Sequence, residues 1–300
     1  GGLGIAAFHP PGAMVAHTTG HRKPGTAMSI FITSGTLGFA VAPLVVATTA
    51  DYYGLGSTAW FLLPGVVFSL LFARTVPALP LGPVRRSGGG LAALRPQMGP
   101  LFILYVLVVL RTLVSLSFGT FVPVLLTQQG MSVSAAGAAM ALYLFASGIG
   151  GFWGGTLADR FGPRRVITAS LLLSTPFLLG APQFSGWTFA VLLACGGLFL
   201  QSTLPVNVSF GQALAPHSAA TVSSLMMGVA WGSGGMLVPA TGKIAEIAGL
   251  PATLTGLALV PLAAAALSMR LPAGPPMQLH VEMVEANVPA IDPQADLTRR

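Results

Sequence analysis

The charged residues of this sequence concentrate in one short stretch, GGTLADRFGPRR at residues 154–165. Charged residues make up only 7% of the chain, yet Asp159, Arg160, Arg164 and Arg165 all lie in this stretch. A carboxylate at the end of an apolar segment can accept hydrogen bonds from the free N–H groups of a helix terminus. Such a loop either sets the orientation of the chain in a membrane or acts as a gate. The spacing of its glycines and its aspartate is more specific than an orientation signal requires, so we expect a gate.

Arg111 is the charged residue in the most unusual position, because it lies well inside an apolar segment at residues 99–127. A guanidinium group within the hydrocarbon region is costly unless it faces water or a partner. Ser115 follows one helical turn later on the same face. We expect Arg111 and Ser115 to face a cavity, where the arginine would attract an anionic substrate or balance a carboxylate. The alternative is that Arg111 pairs structurally with backbone carbonyl groups.

Two further sets of polar residues lie inside apolar segments. His9 precedes Pro10, and a histidine is suited to carry a proton near neutral pH, although it could equally hydrogen-bond a neighbouring helix. The other set falls within an arc of about 100° on the segment 187–213: Gln201, Ser202, Ser209 and Gln212. This stripe predicts either the wall of a polar cavity or hydrogen bonds between helices.

The composition requires that these residues are positioned by membrane-spanning helices. Hydrophobic residues make up 53% of the 300 residues, and the mean hydropathy is +0.79. A soluble domain carries roughly a quarter charged residues, which it needs to cover its surface. The short alternating segments of an outer-membrane barrel are absent from the sequence, so we expect an all-α polytopic membrane protein. The net charge of +7 lies mostly in the gaps between apolar segments, which argues for membrane topology rather than nucleic-acid binding.

Nine apolar segments are predicted to enter the membrane, the first of them partial. Their predicted bounds are 1–16, 26–50, 57–76, 99–127, 133–157, 165–184, 187–213, 219–242 and 251–270. Basic residues occupy every second gap, as the positive-inside rule requires for a chain that crosses the bilayer repeatedly. The rule places 17–25, 77–98, 158–164 and the C-terminus in the cytoplasm, with the protein in the plasma (inner) membrane.

The sequence also repeats itself at a spacing of 195 or 196 residues. GGLGIAAFHP begins at residue 1 and GGLFLQSTLP at residue 196, while GTLGFAVAP (35–43) matches WGSGGMLVP (231–239). Both copies have the same charge sidedness, which predicts parallel repeats related by an axis along the membrane normal. The second copy begins near residue 99, so we expect three further spans before residue 1. About nine of twelve transmembrane helices would then be present.

The repeat divides the chain into four predicted parts. Residues 1–76 are the last three spans of an N-terminal six-helix bundle, and 99–270 form a C-terminal six-helix bundle. The segment 77–98 is a cytoplasmic linker, and the polar tail 271–300 is expected to be disordered. Glycines within the spans predict close contacts between helices: Gly148, Gly150, Gly151, Gly154, Gly155, Gly234 and Gly235.

Parallel six-helix halves joined by a basic linker resemble the major facilitator superfamily. GGTLADRFGPRR is similar to the signature loop of that superfamily, G-x-L-A-D-R-x-G-x-R-R, between the second and third spans of a half. The matching residues are Gly155, Leu157, Ala158, Asp159, Arg160, Gly162, Arg164 and Arg165. GTLGFAVAP loosely resembles the family's antiporter motif for helix packing, with Gly35, Gly38 and Pro43. GLGIAAFHP and HRKPGTAMSIFITSGTLGFAVAP, within 2–65, resemble the fosmidomycin-resistance efflux group.

The resemblance implies a secondary active transporter that works by alternating access, and the subgroup favours proton-coupled efflux of a small drug-like compound. An uptake symporter for a small anionic metabolite is an alternative that Arg111 suits, and a membrane sensor or a non-transporting truncated fragment is a third. No metal-ligand cluster, nucleotide loop or catalytic constellation occurs in the sequence, so we expect no enzyme, metal or cofactor. The expected partners are the lipid bilayer, one small-molecule substrate and protons, and the protein is expected to be a monomer.

The resemblance also implies a partner for Asp159. In related transporters the equivalent acid reaches the N-terminus of a helix in the other bundle. By the symmetry of the repeat, that helix begins here near Thr26. A helix N-terminus offers unpaired N–H groups and about half a positive charge. We therefore predict that the Asp159 carboxylate lies about 3 Å from a backbone N–H within residues 24–28, and that Gly162 allows the tight turn that follows.

Overall fold

The computed structural model describes residues 4, 8–9, 11–13, 15–16, 23–75 and 90–273. All regular secondary structure within these ranges is helical, as the composition predicted. The described residues between 4 and 16 belong to this helical structure. Pro10, most of the predicted linker 77–98 and most of the predicted tail 271–300 lie outside the described residues.

The N-terminal part contains one long helix followed by a shorter one. Helix α1 spans Pro24–Tyr53 (30 residues) and covers the predicted span 26–50. Proline at the first position suits a helix start, because its missing N–H would have had no helical acceptor. Gly54 follows the helix with a φ of 80°, a conformation that favours glycine. A 3-10 helix, Leu55–Phe61, and helix α2, Leu62–Thr75, come next.

The C-terminal part begins with three long helices. After a 3-10 helix at Gly90–Gln97 they are α3 (Met98–Gln128), α4 (Val133–Phe161) and α5 (Pro163–Gly180). Ser132 caps α4, because its Oγ accepts a hydrogen bond from the N–H of Ala135 (3.2 Å). Gly162 makes the turn between α4 and α5 with a φ of 89°, which confirms the prediction that this position needs glycine.

The remaining helices are interrupted shortly before prolines. They are α6 (Gly186–Gln201), α7 (Thr203–Leu214), α8 (Ala219–Ser223), a π-helical segment (Ser224–Val229), α9 (Ala230–Met236), α10 (Val238–Ala248), α11 (Leu250–Ala258) and α12 (Val260–Ser268), with 3-10 turns at Ala181–Gln183 and Pro216–Ser218. The interruptions at Ser202, Leu237 and Leu259 arise because a proline ring and its missing N–H prevent regular continuation. Pro205, three residues after Ser202, therefore interrupts the α6–α7 span.

Seven helical stretches among the described residues are long and apolar enough to cross a membrane, by length and composition. They are Leu55–Thr75, Leu94–Gln128, Ala135–Phe161, Pro163–Gln183, Gly186–Leu214, Ala219–Ala248 and Leu250–Ser268. Each coincides with one predicted span from 57–76 onward, with bounds shifted by a few residues. The predicted class, an all-α polytopic membrane protein, is confirmed.

The helices of the C-terminal part pack into one core, against which α1 lies. Helix α4 packs on α6, α6 packs on α5, and α3 packs on α9 and α12. Helix α1 contacts this part mainly through α4, and also through α7. By contrast, α2 has no buried residue. Helix α4 is therefore in contact both with other helices of the C-terminal part and with α1 of the N-terminal part.

Candidate functional site

Arg111 lies in the middle of α3 and is 1% exposed. Its guanidinium group donates hydrogen bonds to the side-chain oxygen of Gln201 and to Oγ1 of Thr112, the latter at 3.1 Å. The guanidinium carbon lies 5.8 Å from the ring centroid of Trp231, a distance typical of a cation–π contact. Among the described residues the hydrogen bonds of Arg111 go to side chains, and its role in the substrate or proton pathway stays a prediction.

Ser115 and Gln201 join Arg111 in one hydrogen-bonded network. The amide nitrogen of Gln201 donates to Oγ of Ser115 (3.2 Å), while its oxygen accepts from Arg111. Ser115 Oγ also lies 3.3 Å from the hydroxyl oxygen of Tyr143, which is buried in α4. We call these residues the Arg111 cluster: Arg111, Thr112, Ser115, Tyr143, Gln201 and Trp231. It joins α3, α4, α6 and α9. Arg111, Thr112 and Tyr143 are buried, whereas Trp231 is 41% exposed.

The interruption after α6 helps to place Gln201. Pro205 has no N–H to donate to the carbonyl of Gln201, so the helix cannot continue regularly through this point. Ser202, at the interruption, donates from Oγ to the carbonyl of Phe199 (2.6 Å) and to Oγ of Ser170 on α5 (2.7 Å). Ser202 thus connects the interruption to α5, while the Gln201 side chain contacts α3.

Trp231 is placed by an irregular segment and a close helix contact. It follows the π-helical segment Ser224–Val229, and such segments occur frequently at functional sites. Nearby, a Cβ at Gly234 would lie 2.8 Å from the carbonyl oxygen of Val109 on α3, so only glycine permits this approach. The hydroxyl groups of Tyr105 and Ser233 are 2.7 Å apart and connect the same two helices.

The polar stripe predicted on 187–213 divides between two places. Gln201 belongs to the Arg111 cluster, whereas Ser209 donates within its own helix to the carbonyl of Pro205 (2.8 Å). Gln212 donates to Oγ of Ser223 (2.7 Å) and to the carbonyl of Ala13 (3.5 Å). The structure therefore does not bring Ser209 or Gln212 into the cluster, and Gln212 instead connects α7 to the N-terminal part.

His9 lies among aromatic side chains near the start of the chain. Its ring packs edge-on against Phe8 and Phe31, with ring centroids 6.0 and 6.3 Å apart. Phe31 lies on α1, so these contacts attach the first helical residues to that helix. A role for His9 in proton transfer stays a prediction.

Asp159, near the end of α4, accepts hydrogen bonds from the N-terminus of α1. The backbone N–H of Gly25 donates to Oδ1 (2.9 Å), and the backbone N–H of Thr26 donates to Oδ2 (2.8 Å). The hydroxyl of Thr26 also donates to Oδ2 (2.6 Å), and Asp159 is 3% exposed. The contact predicted with residues 24–28 is present, and we call it the Asp159 latch.

Glycine is required on both sides of the Asp159 latch. A Cβ at Gly25 would lie 2.6 Å from Oδ1 of Asp159 and 2.5 Å from the carbonyl oxygen of Gly155. A Cβ at Gly155 would overlap the Gly25 carbonyl and Oγ of Ser29. Further along, Ser29 donates to the carbonyl of Gly151 (2.9 Å). The two helices therefore run antiparallel with their backbones in direct contact beside the latch.

The three arginines of the signature loop lie around the end of α4 and the start of α5. Arg160 is exposed and its guanidinium carbon lies 5.2 Å from the ring centroid of Phe161. Arg165 is also exposed, and Arg164 is half-buried. The carboxylate of Asp159 is directed at α1, so the acid and the bases of this loop have different surroundings.

The predicted packing role of Gly35 and Gly38 is not seen among the described residues. A Cβ at either position would meet nothing within 4 Å. Pro43 lies within α1, and its packing role stays a prediction with theirs. The glycines of α4 behave differently, since added Cβ atoms at Gly150 and Gly154 would overlap backbone atoms of α6.

Several cluster residues were not identified from the sequence. Tyr143 could have been found, because a hydroxyl group ten residues into the apolar span 133–157 needs a partner. Thr112 and Trp231 gave no comparable signal, since neither residue type is unusual in a membrane helix. At the latch, Pro24 in the motif PGT marks the start of α1, and the partner residues Gly25 and Thr26 follow it directly.

The fold and the site define the class of protein. It is an all-helical polytopic membrane protein with a buried polar cluster and a polar contact between its two parts. The sequence profile described as Major Facilitator Superfamily matches residues 1–239 and, in a second overlapping match, 101–292. The chain belongs to the major facilitator superfamily. It is therefore an integral membrane protein of a transporter family rather than of an enzyme family.

Curated relatives include two bacterial transport proteins. The chain is 33% identical over 272 residues to the uncharacterized MFS-type transporter YfnC of Bacillus subtilis (strain 168), covering 87% of this chain and 66% of that protein. It is 30% identical over 261 residues to the fosmidomycin resistance protein of Escherichia coli (strain K12), covering 82% of this chain and 62% of that protein. The chain thus spans just under two thirds of the length of these relatives.

Solved structures with the same fold include the fucose:proton symporter FucP of Escherichia coli. One FucP structure superposes with a TM-score of 0.71 at 15% identity, covering 90% of this chain and 73% of that chain. A second, described as FucP in the outward conformation, has a TM-score of 0.68 at 15% identity and covers 90% of this chain and 80% of that chain. At this identity the similarity establishes the fold alone.

Proposed function

We propose that the protein exports a small drug-like compound in exchange for protons, by alternating access between its two bundles. Membership of the superfamily supports transport, and similarity to a fosmidomycin resistance protein supports export. The observation that carries the assignment of a binding site is the Arg111 cluster, a buried cation in the interior of a membrane protein. Buried charges in membrane helices mark transport pathways because they are costly to keep otherwise.

The electrostatics of the cluster support its role as a substrate site. Among the described residues, Arg111 is held only by the neutral side chains of Gln201 and Thr112 and by the face of Trp231. Its Nε has no hydrogen-bond acceptor within this part of the chain. A guanidinium group without a carboxylate partner gains most from a ligand that brings an acceptor group. We propose that Arg111 binds an acceptor or anionic group of the substrate, and that Ser115 and Gln201 orient it.

The Asp159 latch supplies the gate in this proposal. It joins α4 of the C-terminal part to the N-terminus of α1, so it can form only when the two bundles approach at this end. The positive-inside pattern assigns this end to the cytoplasm. The contact would then stabilise the state that is closed to the cytoplasm by about 1–2 kcal/mol, which changes the ratio of two states about five- to thirty-fold.

A second candidate function is uptake of a small anionic metabolite with protons. The uncompensated charge of Arg111 favours an anion, and the similar fold of FucP belongs to a proton symporter. His9 or an acidic residue outside the described part would carry the proton in either direction of transport. The two functions use the same site and gate and differ in the substrate and in the direction in which the substrate crosses the membrane.

The test compares the protein with its Arg111→Leu variant in bacteria that lack related exporters. Export predicts that the unaltered protein raises the tolerated concentration of at least one compound in a drug panel including fosmidomycin, and that the variant does not. Arg270→Leu removes an exposed arginine after α12 and serves as the matched control. Equal membrane levels of the three proteins are checked by immunoblotting.

The same cells discriminate between the alternatives. Accumulation of a radiolabelled anion, abolished by a protonophore and by Arg111→Leu, would identify the uptake symporter and reject export. If Arg111→Leu transports as well as Arg270→Leu does, the assignment of the Arg111 cluster as the substrate site is wrong.

A further inference from the structure

The outer surface of the C-terminal part contains a groove that the transport proposal does not use. It has a volume of about 410 Å³ and lies between α4, α5 and α6. Its lining is almost entirely apolar and includes Gly150, Trp153, Leu157, Phe161, Leu173 and Phe199. Trp153 and Phe161 are 54% and 46% exposed, so the groove opens away from the bundle interior. We call it the α4–α6 groove.

Two small residues line the depression. Gly150 lies where α4 and α6 are in backbone contact, since a Cβ there would overlap the carbonyl of Leu198. Ala169 on α5 is exposed and lines the groove. Larger side chains flank both residues. The groove is therefore a feature of the folded helices that no neighbouring side chain of the described part fills.

The length of the groove matches one leaflet of a bilayer. Along α4 it extends from Gly150 to Phe161, and eleven residues of helix correspond to about 17 Å. Half of a hydrocarbon core is about 15 Å. The groove thus begins near the middle of the membrane and ends at the surface where α4 turns into α5.

The surface end of the groove is basic. Arg165 lines it directly, and Arg160 lies next to it with its guanidinium group over the Phe161 ring. Both arginines are exposed. A groove of leaflet length with an apolar lining and guanidinium groups at the headgroup level is complementary to an anionic lipid, which has both an acyl chain and a phosphate. We propose that the α4–α6 groove binds one anionic phospholipid, with an acyl chain along α4 and the phosphate at Arg165 and Arg160.

A second depression of the same part provides an internal comparison. It has a volume of about 240 Å³ and is lined by residues of α10, α11 and α12, including Ala252. No charged residue belongs to its lining. It offers apolar contacts without a site for a phosphate, so an anionic lipid should have no preference for it.

Quenching of tryptophan fluorescence by brominated lipids tests the proposal on the intact protein. Two proteins are prepared, one with Trp153 and one with Trp187 as the single tryptophan, the others being replaced by phenylalanine. Trp187 is 56% exposed at the start of α6, at the opposite end from Arg165. At Trp153, brominated phosphatidylglycerol should bind about five-fold more strongly than phosphatidylcholine. At Trp187, the two lipids should bind equally well.

Two substitutions in the Trp153 protein separate the headgroup from the acyl chain. Arg165→Gln should reduce the preference for phosphatidylglycerol to less than about two-fold. Ala169→Phe fills the groove and should abolish the preference, whereas Ala252→Phe, the same change in the second depression, should leave it intact. Excess inorganic phosphate should not alter quenching at Trp153.

Specific outcomes would overturn the proposal. If phosphatidylglycerol were preferred over phosphatidylcholine to the same degree at Trp153 and at Trp187, the protein surface would attract anionic lipid without a specific binding site. A preference that survives both Arg165→Gln and Ala169→Phe would place the lipid elsewhere. Loss of the preference in inorganic phosphate would show that the arginines bind a free anion and that the groove has no part in it.

Discussion

Helix α4 has two glycine-rich faces that contact neighbouring helices in different ways. Toward α6, added Cβ atoms at Gly150 and Gly154 would overlap the backbone at Leu198 and Ser202. Toward α1, Gly155 makes a similarly close backbone contact. Within the described part of the chain, the second face alone adds hydrogen bonds between the helices, from Ser29, Thr26 and the N–H groups at the start of α1 to groups on α4.

The difference follows from what each face has to do. Helices α4 and α6 both belong to the C-terminal part of the chain, and close packing of small residues holds membrane helices together without polar groups. Helices α4 and α1 belong to different parts of the chain, and in the proposed cycle they separate. Hydrogen bonds between a carboxylate and a helix N-terminus are strong when water is excluded from the contact. When the two helices separate, water can form these hydrogen bonds instead. One face is suited to permanent contact and the other to reversible contact.

The largest expected effect is on the permanent face. Gly154→Ala places a methyl group on the backbone at Ser202, and overpacking against a backbone costs about 3 kcal/mol. We expect a lower yield of folded protein and a clearly lower melting temperature in detergent. Gly137→Ala, on the same helix with nothing within 4 Å of an added Cβ, should melt at the same or a higher temperature. A stable Gly154→Ala protein would contradict the assignment of this face.

On the reversible face, the equivalent change should shift the equilibrium between the closed and open states and leave the fold intact. Gly155→Ala overlaps the Gly25 carbonyl, and a cost of about 2–3 kcal/mol would shift the ratio of closed to open states about thirty- to 150-fold. Spin labels at Lys23 and Phe161, with Cys195 replaced by serine, report the separation of the helix ends. Gly38→Ala should leave the distance distribution unchanged, because its added Cβ meets nothing within 4 Å.

Removing the charge of the latch should have a smaller effect on the same distance. Asp159→Asn keeps the size of the side chain but has only one acceptor oxygen for the two N–H donors at Gly25 and Thr26. We expect a shift toward the open state of about five- to thirty-fold, with a melting temperature close to that of the unaltered protein. An unchanged distance distribution together with unchanged transport would show that the loop only sets membrane orientation.

The smallest expected effect is the loss of one neutral hydrogen bond on the reversible face. Ser29→Ala removes the donor to the Gly151 carbonyl, which should cost about 0.5–1.5 kcal/mol and shift the two states about two- to ten-fold. Ser69→Ala removes a bond within α2 to Gly65 and should have no effect on the distance. If the two variants gave the same distribution, the hydrogen bond of Ser29 would not contribute to closure.

The sequence by itself determined the class of protein, the positions of the spans and one end of the latch. Hydropathy and the distribution of charge are properties of short segments, because each transmembrane helix satisfies its own backbone and can be recognised alone. The helix start predicted near Thr26 and the acid at Asp159 are likewise local signals. The resemblance to related transporters and the repeat then supplied the pairing between them, and the hydrogen bonds from Gly25 and Thr26 agree with it.

Only the tertiary structure decided which side chains share a site. Gln201 meets Arg111 from ninety residues away, whereas Ser209 and Gln212, on the same predicted stripe, face other partners. The rotation and depth of each helix depend on where its small residues allow a neighbour to approach and on where a proline interrupts it. These quantities depend on both helices of every contact, so a pattern within one segment does not contain them. For the same reason the sequence did not distinguish Gly35 and Gly38 from the glycines of α4. An added Cβ at Gly35 or Gly38 meets nothing within 4 Å, whereas one at Gly150, Gly154 or Gly155 would overlap a neighbouring backbone.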